Sequence, residues 1–142
     1  MTFLEALYGS QYYELNQKGR DGNKGRGTAN ILLSVIIMLG LFAVILLAIT
    51  VYPEFNNDMA RVIKSIFGRL SGRSIGKLIA LPVIGLIYLV VVFTIGNKNN
   101  FKKHVAAFLL LPDGEKKKAN KKLLTPFFIL LAAVLILSIL QL

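Results

Sequence analysis

Three stretches of this chain carry no Asp, Glu, Lys, Arg or His: residues 31–51, 78–96 and 123–142. At 1.5 Å per residue, a helix of about twenty residues crosses a hydrocarbon core of roughly 30 Å. A span in lipid must satisfy every backbone N–H and C=O within itself, which leaves the helix as the form for isolated apolar runs. The reading is therefore an all-α membrane protein. Its three transmembrane helices are expected at 30–52, 78–96 and 123–142, with connectors at 53–77 and 97–122 and an amino-terminal segment at 1–29. With 55% hydrophobic residues and a net charge of +10 in 142 residues, the chain has lipid as its solvent. An anionic membrane surface then accounts for the charge more economically than nucleic acid does.

The segments between the runs predict further, interfacial helices. Residues 2–17 open with the capping-box pair Thr2 and Glu5 and place Phe3, Leu4, Leu7, Tyr8, Tyr12 and Leu15 near one helical face. That face suits an anchor in the headgroups, and Phe3, Leu7, Tyr8 and Tyr12 are the candidates for docking a partner protein. Residues 18–30, KGRDGNKGRGTAN, lack apolar periodicity and are expected to be a flexible basic loop. Their GNKGRG lacks both the strand and the Gly-Lys-Ser/Thr order of a phosphate loop. No secretory cleavage pattern precedes the first run, so the first span is expected to stay in the mature protein.

Over 55–70, the residues Phe55, Met59, Val62, Ile63, Ile66, Phe67 and Leu70 share one face, and Arg61, Lys64 and Arg69 lie opposite. Asn56 or Asn57 is the expected N-cap of this amphipathic, lipid-lying helix. Gly68, Gly72, Gly76 and Ala80 recur every four residues. They predict either a smooth groove for close helix packing or a bend before the second span. Pro82 should kink that span or mark its first turn. A third amphipathic helix is expected at 101–111 behind an Asn99–Asn100 cap, then a turn at Pro112, Asp113 and Gly114 and a basic helical lead into the third run.

Charge sets the expected orientation. Four basic residues precede the first run, five lie between the first two, and eight lie between the second and third. With three spans, twelve basic residues share a side against five. The amino terminus and the 97–122 connector are therefore expected in the cytoplasm of a bacterial inner membrane, with the carboxyl terminus outside. Lys102, Lys103, Lys116, Lys117, Lys118, Lys121 and Lys122 are the candidates for binding anionic lipid or an acidic partner.

Chemistry is sparse. The runs hold none of the intramembrane ionisable residues that mark proton or ion pathways. There is no Cys and one His, His104, which sits in a basic stretch and is expected to be solvated. Glu54 and Asp58 form an i, i+4 carboxylate pair at a helix start, where such charges ordinarily belong. No catalytic, cofactor or metal site is expected. These residues imply a non-catalytic accessory or structural subunit of a larger inner-membrane complex, such as secretion, energy-transducing or transport machinery, packing against partner membrane helices. An anionic-lipid-binding or membrane-remodelling homo-oligomer is the alternative, and a subunit of a small channel or transporter the next.

Overall fold

The computed structural model describes residues 1–68 and 72–142, with the backbone alone over 72–76. It is 87% helix, with no strand among the described residues, and three helices are long and apolar enough to span a membrane. In chain order the helices are α1 (Phe3–Gln17), α2 (Gly25–Val51), α3 (Glu54–Phe67), α4 (Gly72–Val90), α5 (Lys98–Leu109), α6 (Asp113–Lys117) and α7 (Ala119–Leu140). The spans are α2, α4 and α7. The first is central, packing against both of the others.

α1 starts as its sequence predicts: the Thr2 hydroxyl accepts from the Glu5 amide, and the Glu5 carboxylate accepts from the Thr2 amide. It ends at Gly19, whose φ of 68° is open to glycine at little cost. The Gly19 amide bonds the Asn16 carbonyl and the Arg20 amide the Leu15 carbonyl, the paired closure of a Schellman motif.

Its middle departs from expectation. Ala6, Leu7, Tyr8 and Gly9 are all buried, and four successive residues at 100° steps cover most of a helix's circumference. α1 is thus enveloped by α2, α5 and α7 of its own chain instead of lying with one face in lipid. Each large side chain buried here gains about 1.5–3 kcal/mol over exposure to water, and this chain's own helices supply the cover.

The expected loop at 18–30 is also ordered. Asp21 accepts from the Asn23 amide and caps a single 3₁₀ turn, Gly22–Lys24, and α2 begins at Gly25. The glycines serve close approach there. A Cβ on Gly22 would lie 2.6 Å from the Tyr12 ring, and one on Gly25 would lie 3.0 Å from the Gln11 carbonyl carbon. The loop reading took those glycines for flexibility, whereas they let α1 and the start of α2 touch.

At the opposite end, α2 stops at Tyr52–Pro53 and α3 leads away with no buried residue. Pro53 occupies its N-cap, not Asn56 or Asn57, and no side chain caps it. Gly68 ends α3 at φ 64°, so Gly68 and Gly72 do not lie on one continuous helix and the four-residue groove is broken at its first member. Arg69 and Leu70 fall outside the described residues. Gly72 and Gly76 lie in α4, which starts earlier than expected and holds Pro82 inside it.

The second span closes in a π-helix, Val91–Ile95, with the Gly96 amide reaching the Val91 carbonyl at 2.7 Å. Asn97, not Asn99 or Asn100, caps α5, its side chain accepting from the Asn100 amide at 2.8 Å. Asn97 and Asn100 both donate back to the Thr94 carbonyl. The second span is thereby tied to α5 with its terminal carbonyl satisfied.

α7 runs parallel to α2. Its amino-terminal Ala119 and Leu123 join the core around α1, and its Gln141 side chain donates to the Leu46 carbonyl at 3.1 Å near the end of α2. One end of the molecule is therefore a cap of α1, the 3₁₀ turn, α5, α6 and the beginnings of α2 and α7. The other end carries α3 and the carboxyl terminus.

Candidate functional site

The cap holds most of the polar architecture, and its centre is Tyr8. The Tyr8 hydroxyl donates to Asn30 Oδ1 at 2.7 Å, and Asn30 Nδ2 donates to the Gly96 carbonyl at 3.2 Å. Tyr8 is fully buried and Asn30 is 2% exposed. One amide side chain thus joins α1, α2 and the end of the second span. A Cβ on Gly96 would fall 1.8 Å from Asn30 Oδ1, so residue 96 must lack one for the bridge to close. Ser34 closes back on the Asn30 carbonyl at 2.7 Å. Among the described residues, no buried side-chain nitrogen or oxygen lacks a partner.

Aromatic rings surround the bridge. Tyr8 meets Phe101 edge to face at 5.7 Å and 87°, and stacks on His104 at 5.8 Å and 13°. Tyr13 meets Phe108 at 6.2 Å. Burial pushes the Tyr8 hydroxyl up to about 12, with nearby Arg26 pulling the other way. His104 is half-buried, not solvated as expected. Its burial lowers its pKa, Glu5 opposes that shift and Lys103 adds to it. A neutral phenol donating to an amide beside a half-buried imidazole is a packing device: the donor is already engaged, and the acceptor is an amide with no basicity to offer. Among the described residues, no group of three or more His, Asp or Glu is placed to hold a metal ion.

The expected docking residues are used internally. Leu7 and Tyr8 are buried in the core, and Phe3 and Tyr12 are partly buried against it. The expected cationic residues are spread around the rim. Lys102 and Lys103 are exposed on α5, Lys103 on the side away from Phe101, Val105 and Phe108 and Lys102 on the flank of that face. Lys116 lies 5.3 Å over the Tyr13 ring, a cation–π contact. Lys118 pairs with Glu115 at 3.6 Å, and Lys122 donates to the Met1 carbonyl. Lys117 and Lys121 are exposed. Ala80, the last member of the small-residue series, is exposed on α4.

A cleft absent from the sequence reading opens at the junction of α2 and α5. It is lined by Asn23, Arg26, Lys98, Phe101 and Lys102. Arg26 and Lys98 were passed over because one sits in the supposed loop and the other stands alone between asparagines. Their only sequence signal is that each lies just outside an apolar run. No protein-family model matches the chain, and neither the curated proteins nor the solved structures yield a match.

Proposed function

We propose that this chain is a non-catalytic accessory subunit of a larger inner-membrane complex, in which its spans pack against partner helices and its cap fixes their spacing on the cytoplasmic side. The observation that supports this reading is the uneven covering of the spans. In the most apolar window of the first span, 28% of residues are buried, against 6% in the second span. Leu81 and Leu86 on α4 and Phe93 in the π-helix that ends the second span are 72%, 61% and 74% exposed. A second span tethered firmly at Gly96 yet hardly covered along its length is suited to pack against other helices. The buried polar groups meanwhile hold this chain's own helices together, as suits a scaffold. The amphipathic α3 lies in the outer interface with Phe55, Met59 and Ile63 towards lipid, opposite the basic cap.

Site-specific photo-crosslinking in native membranes tests the reading, with the probe at Leu81, Leu86 or Phe93 on the second span and at Ile129 or Ile136 on α7. A single protein adduct formed from the second-span positions supports it; lipid adducts alone from every position overturn it. Because the chain has no cysteine, single cysteines at Lys117 and Asn57 report orientation without background. Labelling of Asn57→Cys but not Lys117→Cys by an impermeant maleimide in intact cells is expected, and the reverse pattern would invert the topology.

A further inference from the structure

We infer that the cleft between α2 and α5, walled by Arg26, Lys98 and Lys102, binds the phosphate of an anionic phospholipid headgroup. Three observations converge. The cations come from two elements far apart in sequence: Arg26 from the first turn of α2, and Lys98 and Lys102 from the first turns of α5. Lys98 and Lys102 stand at i, i+4, a like-charged spacing that costs a helix stability by itself.

Among the described residues, none of the three forms an ion pair. The nearest acid in sequence, Asp21, turns its carboxylate to the Asn23 amide at 3.0 Å and is engaged in capping the 3₁₀ turn. Folding therefore gathers positive charge without supplying its counter-charge, and Asn23 adds a side-chain amide as a neutral donor.

The third observation is height. Arg26 precedes the start of the first long apolar run, Ile31, by five positions, or about 7.5 Å of helix. Lys98 follows Gly96, the last residue of the second run, by two. The cleft thus sits just beyond the hydrocarbon boundary of two spans, in the layer a few ångströms deep that holds lipid phosphates. Its floor is the buried ring of Phe101, 3% exposed, which holds the first turn of α5 in place beneath the lysines. An Arg fork and two ammonium groups at this depth match a phosphate diester fixed in the leaflet better than a freely diffusing anion.

The test compares two triple variants of the full chain with equal loss of charge. One is Arg26→Gln, Lys98→Gln, Lys102→Gln; the other is Lys116→Gln, Lys117→Gln, Lys118→Gln. Native mass spectrometry of the purified protein counts retained phosphatidylglycerol against phosphatidylcholine, and helical circular dichroism verifies folding. Single Arg26→Lys and Lys98→Gln variants serve if a triple fails to fold. The cleft triple is expected to lower the phosphatidylglycerol preference on the order of tenfold, and the rim triple by less than about twofold.

Equal losses from the two triples would assign the preference to diffuse charge and overturn the site. So would inorganic phosphate bound at the cleft with no preference between the two lipids, which would assign the cleft to a soluble anion.

Discussion

The Tyr8–Asn30–Gly96 bridge predicts a specific failure of additivity. Tyr8→Phe keeps the ring and its contacts but leaves Asn30 Oδ1 buried without its 2.7 Å donor. Stranding one buried polar group costs about 2 kcal/mol, within a range of roughly 1–3. Asn30→Leu has nearly the same shape but strands two groups, the Tyr8 hydroxyl and the Gly96 carbonyl, and should cost about 4 kcal/mol on the same basis.

The double variant has neither the hydroxyl nor the amide. Only the Gly96 carbonyl is left unpaired, so the cost should return to about 2 kcal/mol where simple addition would give about 6. Hydrogen exchange of the α1 amides in detergent micelles reads the undocking of α1 directly, with each 1.4 kcal/mol a factor of about ten. Protection should fall about thirtyfold in Tyr8→Phe, about a thousandfold in Asn30→Leu and about thirtyfold in the double variant. A double variant that matches the sum of the singles within about 0.5 kcal/mol would refute the bridge, as would a neutral Tyr8→Phe.

Glycine substitutions should separate close approach from helix propensity. A Cβ on Gly9 would meet Phe108 at 2.1 Å, so Gly9→Ala is expected to destabilise the cap by about 1–3 kcal/mol in thermal unfolding. Gly40 has open space, and Gly40→Ala should be neutral or stabilising by about 0.5–1 kcal/mol. Because burial raises the Tyr8 pKa from 10.0 to about 12, the neutral phenol contributes stability that is complete below pH 10.0 and lost as pH rises through about 12. Ultraviolet titration should show a late tyrosinate that is missing in Tyr8→Phe. His104 shifts the other way, lowered from 6.5 mainly by burial, so its contribution is present above pH 6.5 and lost as pH falls through the depressed value. Its imidazole resonances in NMR should titrate below those of a free histidine.

The spans were legible because they depend on something a sequence states outright, the lack of charge over a bilayer's thickness. Helix starts set by neighbours in the chain, such as the Thr2–Glu5 box, were legible for the same reason. The cap was not. Whether Gly9 or Gly22 is slack or a contact depends on where Phe108 or Tyr12 comes to rest, and the role of Asn30 depends on a carbonyl 66 positions away. Leu7 and Tyr8 look the same in sequence whether lipid, a partner or this chain covers them. Apolar side chains on α1 and α5 call for cover, and two such helices in one chain can cover each other, as they do here. Arg26, Lys98 and Lys102 likewise form a cluster only after the first two spans stand side by side.

The order in which the cap closes bears on how the protein is made. α1 is synthesised before the spans, yet α5 and the first turns of α7 that enclose it come only after the second span. Until then Ala6, Leu7 and Tyr8 have only α2 of their three covering helices, and Asn30 has no Gly96 carbonyl to bond. Closure of the cap therefore reports that the second span has been threaded back across the membrane. A nascent chain stalled or inverted at that step keeps an apolar amino-terminal helix exposed, the kind of surface chaperones and membrane proteases act on. Tyr8 is in that sense a checkpoint in time as well as a bond in space: its ring is buried only in a chain that has been inserted far enough to stay.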